Sequence, residues 1–216
     1  MPFIEFIDLQ TDEEVKERCT KRLRIILSNL PSNLKGLNVL DLGCNVGYFC
    51  FELAKRGAKV TGIEERPDLI VIARKVNEIY DLDIKFILAT LSSDSISDLD
   101  QRYDVVIYLS LHHHIIKTQG LEESRKILNN LSRIGQTMFF EMGQTNEGKN
   151  FSLDWATRIP DMGDRPKEWM REEVLIHSEF NSVVVCGATK SHGVDRFLFK
   201  CERSRLKQKL IQVVQK

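Results

Sequence analysis

Residues 39–49 read VLDLGCNVGYF: Val39, Leu40 and Leu42 around an acid, Asp41, then Gly43 and Gly47, then an aromatic pair, Tyr48 and Phe49. A short apolar run that breaks into glycines and resumes as "YFCFELAKRG" predicts a buried strand, a turn, and a helix that stops at Gly57. The two glycines give the turn the backbone freedom to pass close to a ligand. Asn45 stands between them, where glycine is common in such turns, and asparagine tolerates a left-handed backbone better than most residues.

On the C-terminal side of this stretch strands and helices alternate. "AKVTGIE" predicts a second strand, Pro67 opens the helix "DLIVIARKVNEIYD", and "DIKFILA" predicts a third strand. "ISDLDQR" is a short helix or a loop. "YDVVIYLSL" is a fourth strand, nearly all apolar, as expected of one covered on both faces. "GLEESRKILNNLSRIG" predicts a helix with Leu121, Ile127, Leu128 and Leu131 inward, and "QTMFFEMG" a fifth strand. Pro166 starts a last helix, after which "NSVVVCGATKS" and "VDRFLFKCER" form an antiparallel pair of strands. Ahead of all this, Thr11 to Leu30 is an amphipathic helix with a capping box from Thr11 and Glu14. The domain organisation expected is a helical segment 1–36, an α/β domain 37–203, and a basic helix or tail 204–216 with Leu206, Leu210, Ile211 and Val214 on one face. Strands alternating with helices imply a mostly parallel sheet covered on both faces.

In such a sheet ligands bind beyond the carboxyl ends of the strands at the switch point, which is where residues 41–47 lie. The spacing G-x-x-x-G is not the dinucleotide fingerprint G-x-G-x-x-G, and Asp41 ahead of the glycines repels a pyrophosphate. Glu64 ends the second strand about twenty residues on, where an acid accepts hydrogen bonds from ribose hydroxyls. An acid suited to an amine, a glycine turn and a ribose-binding acid together describe S-adenosylmethionine (SAM).

"VLDLGCNVGYF", "VTGIEERPDLIVIAR" and "YDVVIYLSLHHHI" resemble the successive motifs of class I SAM-dependent methyltransferases. The resemblance covers roughly Leu37 to Arg203. It implies a Rossmann-like α/β fold of seven strands, order 3-2-1-4-5-7-6, with the last strand antiparallel. It implies that the loop Gly43, Cys44, Asn45, Gly47 holds the methionine part of SAM. Asp41 would order that loop or reach the amine through water, and Glu64 would bind the ribose. Where the family often has an acid for adenine, this chain has Thr90, so Thr90 and the backbone of Leu91 take that place, with Asp94 as the alternative. Leu109 and Ser110 would line the methyl-donor side. "GYFCFELAKRGAKVTGIE", "LSLHHHI" and "FFEMG" are similar, more narrowly, to the methyltransferase part of the bifunctional kinase–methyltransferases that cap O-antigen chains. That family methylates a terminal sugar phosphate, which points to an oxygen of a sugar, sugar phosphate or other small molecule as acceptor. The product would be S-adenosylhomocysteine (SAH).

Methyl transfer from a sulfonium is an in-line displacement in which proximity and desolvation supply much of the rate. A base is needed when the acceptor is a hydroxyl or a protonated amine. His112, His113 and His114 follow the fourth strand, and His113 or His114 is the expected base. The structural alternative is a histidine that caps the strand end and bonds backbone. A metal held by His112 and His114 on one side of a continued strand lacks the third ligand that zinc needs, so no metal is expected. Glu141 ends the fifth strand, where a buried carboxylate must find a partner. It can orient a histidine, bind an acceptor hydroxyl, ligate a metal, or pair with a nearby arginine such as Arg158. Gln144 and Asn146 add polar groups on the same side. Trp155, Trp169, Arg158 and Arg165 in the following loop suit sugars or flat rings, or the tryptophans simply cover the core.

The 31 basic and 31 acidic side chains balance, which argues against a general nucleic-acid binder. RNA, tRNA in particular, is the alternative acceptor, and a non-catalytic SAM-binding subunit the second alternative. Five cysteines without a C-x-x-C pair, no signal-like N-terminus and no run of about 20 apolar residues give the expectation of a cytoplasmic protein with reduced thiols and no membrane span.

Overall fold

In a computed structural model the chain is described over residues 13–147 and 153–203. The cap at Thr11, the tail residues 204–216 and the loop residues 148–152 lie outside the described residues. Helix α1 is Glu13–Ser28, followed by β1 (Asn38–Leu42), α2 (Tyr48–Ala54), β2 (Lys59–Glu64), α3 (Pro67–Tyr80) and β3 (Ile84–Leu88). Next come α4 (Ser93–Ser97), β4 (Tyr103–Leu109), α5 (His112–Gln119), α6 (Leu121–Ile134) and β5 (Gly135–Glu141). Helix α7 (Pro166–His177) precedes the hairpin of β6 (Ser182–Ser191) and β7 (Val194–Glu202).

The seven strands form one sheet in the order β3-β2-β1-β4-β5-β7-β6. The first five are parallel, and β7 runs antiparallel to both β5 and β6. The expected order is met strand for strand. β1 and β4 are covered on both faces, which is why they read as continuous apolar runs rather than alternating ones. One core, with α1, α2 and α3, takes Leu23, Ile26, Val39, Phe51 and Phe86, and the other, with α5, α6 and α7, takes Leu40, Val106, Leu128, Phe140 and Val174.

The chain leaves β1 toward β2 and β3 and later returns to β4 on the other side of β1, so the switch point lies between β1 and β4. The glycine turn emerges there. Gly43 has φ 64°, Asn45 φ 53° and Gly47 φ 87°, so the asparagine does adopt the left-handed backbone that its side chain tolerates. A Cβ on Gly47 would stand 2.9 Å from the Phe51 ring and 3.0 Å from that of Phe86, so glycine is needed here for space as well as for φ.

One local expectation is corrected. The histidines do not prolong β4. That strand stops at Leu109, Ser110 turns with φ 54°, and His112 opens α5. Successive residues of a helix point about 100° apart, so the arrangement in which His112 and His114 share one side does not arise.

Candidate active site

Glu64 ends β2, with 7% of its surface exposed. Its Oε2 accepts from the Asn45 amide at 2.9 Å, and its Oε1 accepts from the Arg66 amide at 3.0 Å. The glycine turn and the ribose candidate are therefore one structure: the carboxylate fixes the turn and keeps lone pairs for a further donor. A pocket of about 140 Å³ opens beside it, lined by Gly43, Glu64, Leu91, Leu111, His114 and Gln119, among others. A Cβ at Gly43 would meet the Leu111 side chain at 3.1 Å, so the missing Cβ keeps the pocket floor open. An adenosyl group fits this donor set: a carboxylate for hydroxyls, apolar Leu91 and Leu111 for a flat ring, and an open backbone turn.

The other expected cofactor residues divide. Asp41 is buried beneath the turn, away from the pocket lining, and accepts from Cys50 Sγ at 3.2 Å. Burial pushes its carboxyl up to about 7, with the Glu64 charge adding and the thiol bond opposing. Cys44 is buried, and its sulfur, with that of Cys50, occupies the space that a side chain on Gly62 of β2 would fill. Thr90 is exposed and does not line the pocket, whereas Leu91 does. Leu109 and Ser110 are half-buried at the end of β4.

The histidines have three different environments. His112 is fully buried, its Nδ1 3.1 Å from Tyr108 Oη, and burial with the Arg125 charge holds it down at about 3. His113 is buried against Trp155, ring centroids 4.4 Å apart, and its Nδ1 accepts from the Gly143 amide at 3.0 Å. Burial, then the charges of Arg196, His114, His112 and Arg22, hold it well below the ordinary histidine value. An Nδ1 that accepts an amide proton leaves the neutral ring's own proton on Nε2, so His113 presents a donor there and not a base. His114 is exposed at the mouth of the pocket. Partial burial, then Lys117 and Arg196, lower its pKa against an opposing Asp154, so it is neutral at pH 7 with a lone pair to offer.

Glu141 does pair with arginine, as one of the expected alternatives had it, but the partners are Arg22 of α1 and Arg196 of β7, while the example Arg158 is exposed. The register explains this: Glu141 lies opposite Leu109, so its carboxylate stands beside Ser110, whose hydroxyl donates to Oε1 at 3.2 Å. Arg22 Nη2 and Arg196 Nη1 also donate to Ser110 Oγ, at 3.0 and 3.1 Å. Arg196 further grips Glu147 at 2.7 and 2.8 Å. A buried lattice of two arginines and two glutamates thus joins α1, the end of β4, the exit of β5 and the hairpin. Gln144 is buried and bonds the Asp195 carbonyl at 2.6 Å, while Asn146 lines a surface cleft with Lys167 and Phe197. Trp155 is 5% exposed and Trp169 packs on the same core, the covering role.

Sequence reading missed Arg22, Arg196 and Glu147, and the pocket residues Leu111 and Gln119. The unpaired Glu141 was the available signal: a carboxylate that ends an apolar strand needs a cation, but every arginine in the chain was a candidate.

Residues 39–133 match the methyltransferase domain family. The O-antigen chain terminator bifunctional methyltransferase/kinase WbdD of Escherichia coli is 30% identical over 155 residues, which are 69% of this chain and 21% of that protein. A ubiquinone biosynthesis O-methyltransferase of Methylocella silvestris is 29% identical over 136 residues, 59% of this chain and 51% of that one. The crystal structure of WbdD superposes with a TM-score of 0.72 at 27% identity over 86% of this chain and 40% of that chain. A Synechocystis magnesium protoporphyrin IX methyltransferase with bound SAH has a TM-score of 0.65 at 19% identity over 90% and 89% of the two chains, a likeness of fold. This chain spans about a fifth of the length of WbdD, and the part it shares places it, by sequence and by strand order, in the class I methyltransferase family.

Proposed function

We propose that the protein transfers a methyl group from SAM to an oxygen of a sugar, a sugar phosphate or another small molecule. The observation that carries this is the pocket at the switch point, where Glu64, the glycine turn, Leu91 and His114 meet. SAM would supply an electrophilic methyl on a sulfonium. Glu64 would hold the ribose hydroxyls, and the backbone of residues 43–47 would hold the amino-acid end. Asp41 supports this turn from below and has no place in the pocket wall. Leu91 and Leu111 exclude water from the ring, which favours a displacement that disperses charge.

His114 is the group placed to take the acceptor proton, because it lines the pocket and is neutral at pH 7. His113 donates from Nε2 and braces the loop after β5 through Gly143. Glu141 serves as counter-charge to Arg22 and Arg196. The similarity to WbdD supports a sugar-linked acceptor, and the ubiquinone biosynthesis relative supports oxygen as the atom methylated. A cytoplasmic location is the accompanying proposal; among the described residues no helix is long and apolar enough to cross a membrane.

RNA is the second reading. A Pyrococcus abyssi 23S rRNA (uracil(747)-C(5))-methyltransferase is 42% identical over 65 residues, only 30% of this chain. The chain has no Pro-Cys pair to supply a nucleophile for carbon methylation. Titration of SAM and SAH into the protein, with Glu64→Ala alongside, tests the proposal. Binding that falls by about ten- to a hundredfold in the variant, the worth of hydrogen bonds to a charged group, supports it. Absence of binding to the wild type defeats it. Transfer of labelled methyl to RNA and not to sugar phosphates would select the second reading.

A further inference from the structure

We propose that the cavity between α1 and the β6–β7 hairpin is a binding site for an oxyanion, a phosphate or a carboxylate. The cavity measures about 240 Å³ and is lined by Arg18 and Lys21 of α1 and by Thr189, Lys190, Ser191 and His192 of the hairpin. Thr189 is 2% exposed, and its hydroxyl has no hydrogen-bond partner among the described residues. The same holds for Arg18 Nε. The Thr189 side chain points at α1, because its same-face neighbours do: Gly187 abuts Ile25, and Ser191 Oγ accepts from Arg18 Nη1 at 3.1 Å. Two residues that line one cavity thus each carry a buried donor without an acceptor.

The charge around them is also out of balance. Arg18, Arg22 and Arg196 lie close enough that the latter two, after burial itself, lower the Arg18 pKa. The buried carboxylates that answer them are Glu141 and Glu147. Three guanidinium groups against two carboxylates leave one positive charge over. Glu14 and Glu17 also line the cavity, but they stand exposed at its rim, where water screens them. An oxyanion accepting from Arg18 Nε and the Thr189 hydroxyl would satisfy both donors and the charge through a charge-assisted hydrogen bond.

The cavity is linked through α1 to the arginine–glutamate lattice at the ends of β4 and β5. Arg18 and Arg22 are one helical turn apart on the same face of α1, and Arg22 reaches Ser110 and Glu141. The anion has two sources, free phosphate or an anionic group on the acceptor; the second rests on the proposed methyl transfer.

The test is calorimetric titration of the full chain, with and without saturating SAH, in a buffer free of oxyanions. The probes are inorganic phosphate, glucose 1-phosphate and glucose. The expected result is saturable binding of phosphate that weakens about tenfold or more, one charge-assisted hydrogen bond, in Arg18→Gln and less so in Thr189→Val, with SAH affinity unchanged. Thr189→Val is further expected to melt at or above the wild-type temperature without phosphate, because it removes a buried hydroxyl that has no partner. Glucose 1-phosphate binding tighter than phosphate, with the same dependence on Arg18, assigns the anion to the acceptor; equal binding assigns it to free phosphate. The proposal is overturned if neither anion gives saturable heat, if both substitutions leave binding intact, or if glucose binds as well as its phosphate. SAH binding that persists in those cases leaves the cofactor reading standing, and loss of SAH binding with phosphate binding intact fails that reading alone.

Discussion

Asp41→Asn isolates a buried charge beneath the cofactor turn. The native carboxyl is pushed up to about 7 by burial, against an ordinary 3.8 in the unfolded chain. Between those values the folded protein holds a proton that the unfolded chain has released, so stability falls as pH rises through this window and stays lower above it. From pH 5 to pH 7 the span is two units, or roughly 3 kcal/mol at about 1.4 kcal/mol per unit. Asparagine keeps the shape and an acceptor for the Cys50 thiol and carries no titratable group. The other ionisable groups are common to both proteins and cancel in the difference. Urea unfolding of wild type and variant at pH 5 and pH 8 should therefore show the variant gaining roughly 3 kcal/mol relative to wild type at the higher pH. In a chain of this size that corresponds to a rise in Tm difference of about 6–12 °C. A difference between the two proteins that is flat with pH, within about 1 kcal/mol, would refute the claim that Asp41 is protonated in the folded state.

Glu141→Gln strips the counter-charge from Arg22 and Arg196 and should lower stability by about 3–5 kcal/mol in chemical denaturation, with Arg22→Met/Glu141→Leu recovering most of it. A melt like that of wild type for the single variant would mean that water screens the lattice. Gly47→Ala forces an L-residue to φ 87° and sets a methyl 2.9 Å from the Phe51 ring, so a loss of at least about 2 kcal/mol is expected, with weaker SAH binding by titration. Nitrogen-15 NMR of the imidazoles should find His113 as the Nε2–H tautomer, charging only well below the pH at which an ordinary histidine does, because burial and the neighbouring cations oppose its charging. Titration of that ring near its ordinary value of 6.5 would contradict the buried geometry. Once an acceptor is found, His114→Ala should cut kcat without changing SAH affinity, and the acid limb of the wild-type rate should lie below the ordinary histidine pKa, the direction of the shift at His114.

Much of the fold is legible in one dimension because its signals are local. An apolar run such as YDVVIYL must be a strand covered on both faces, and Gly43, Asn45 and Gly47 mark a turn whose φ values few other residues adopt. Alternation of strands and helices then leaves few topologies, and the position of Glu64 at a strand end follows from its place after VTGI. The histidines were harder. LHHHI carries no residue that separates the end of a strand from the start of a helix, and the decision was made by Ser110, a residue with no strong preference for positive φ.

What only the tertiary structure decided is where the charges go. Which arginine meets Glu141 depends on the β4–β5 register, on α1 lying against β6 and on the β6–β7 hairpin folding back over the sheet edge, contacts between residues as far apart as Arg22 and Arg196. It also decided that His113 is a donor and His114 exposed, since the two differ by one helical step and by what packs on each. Turns and strands are written in neighbouring residues, whose sterics act within a few bonds. Ion pairs and protonation act through space in a medium that exists only once the chain has closed around them.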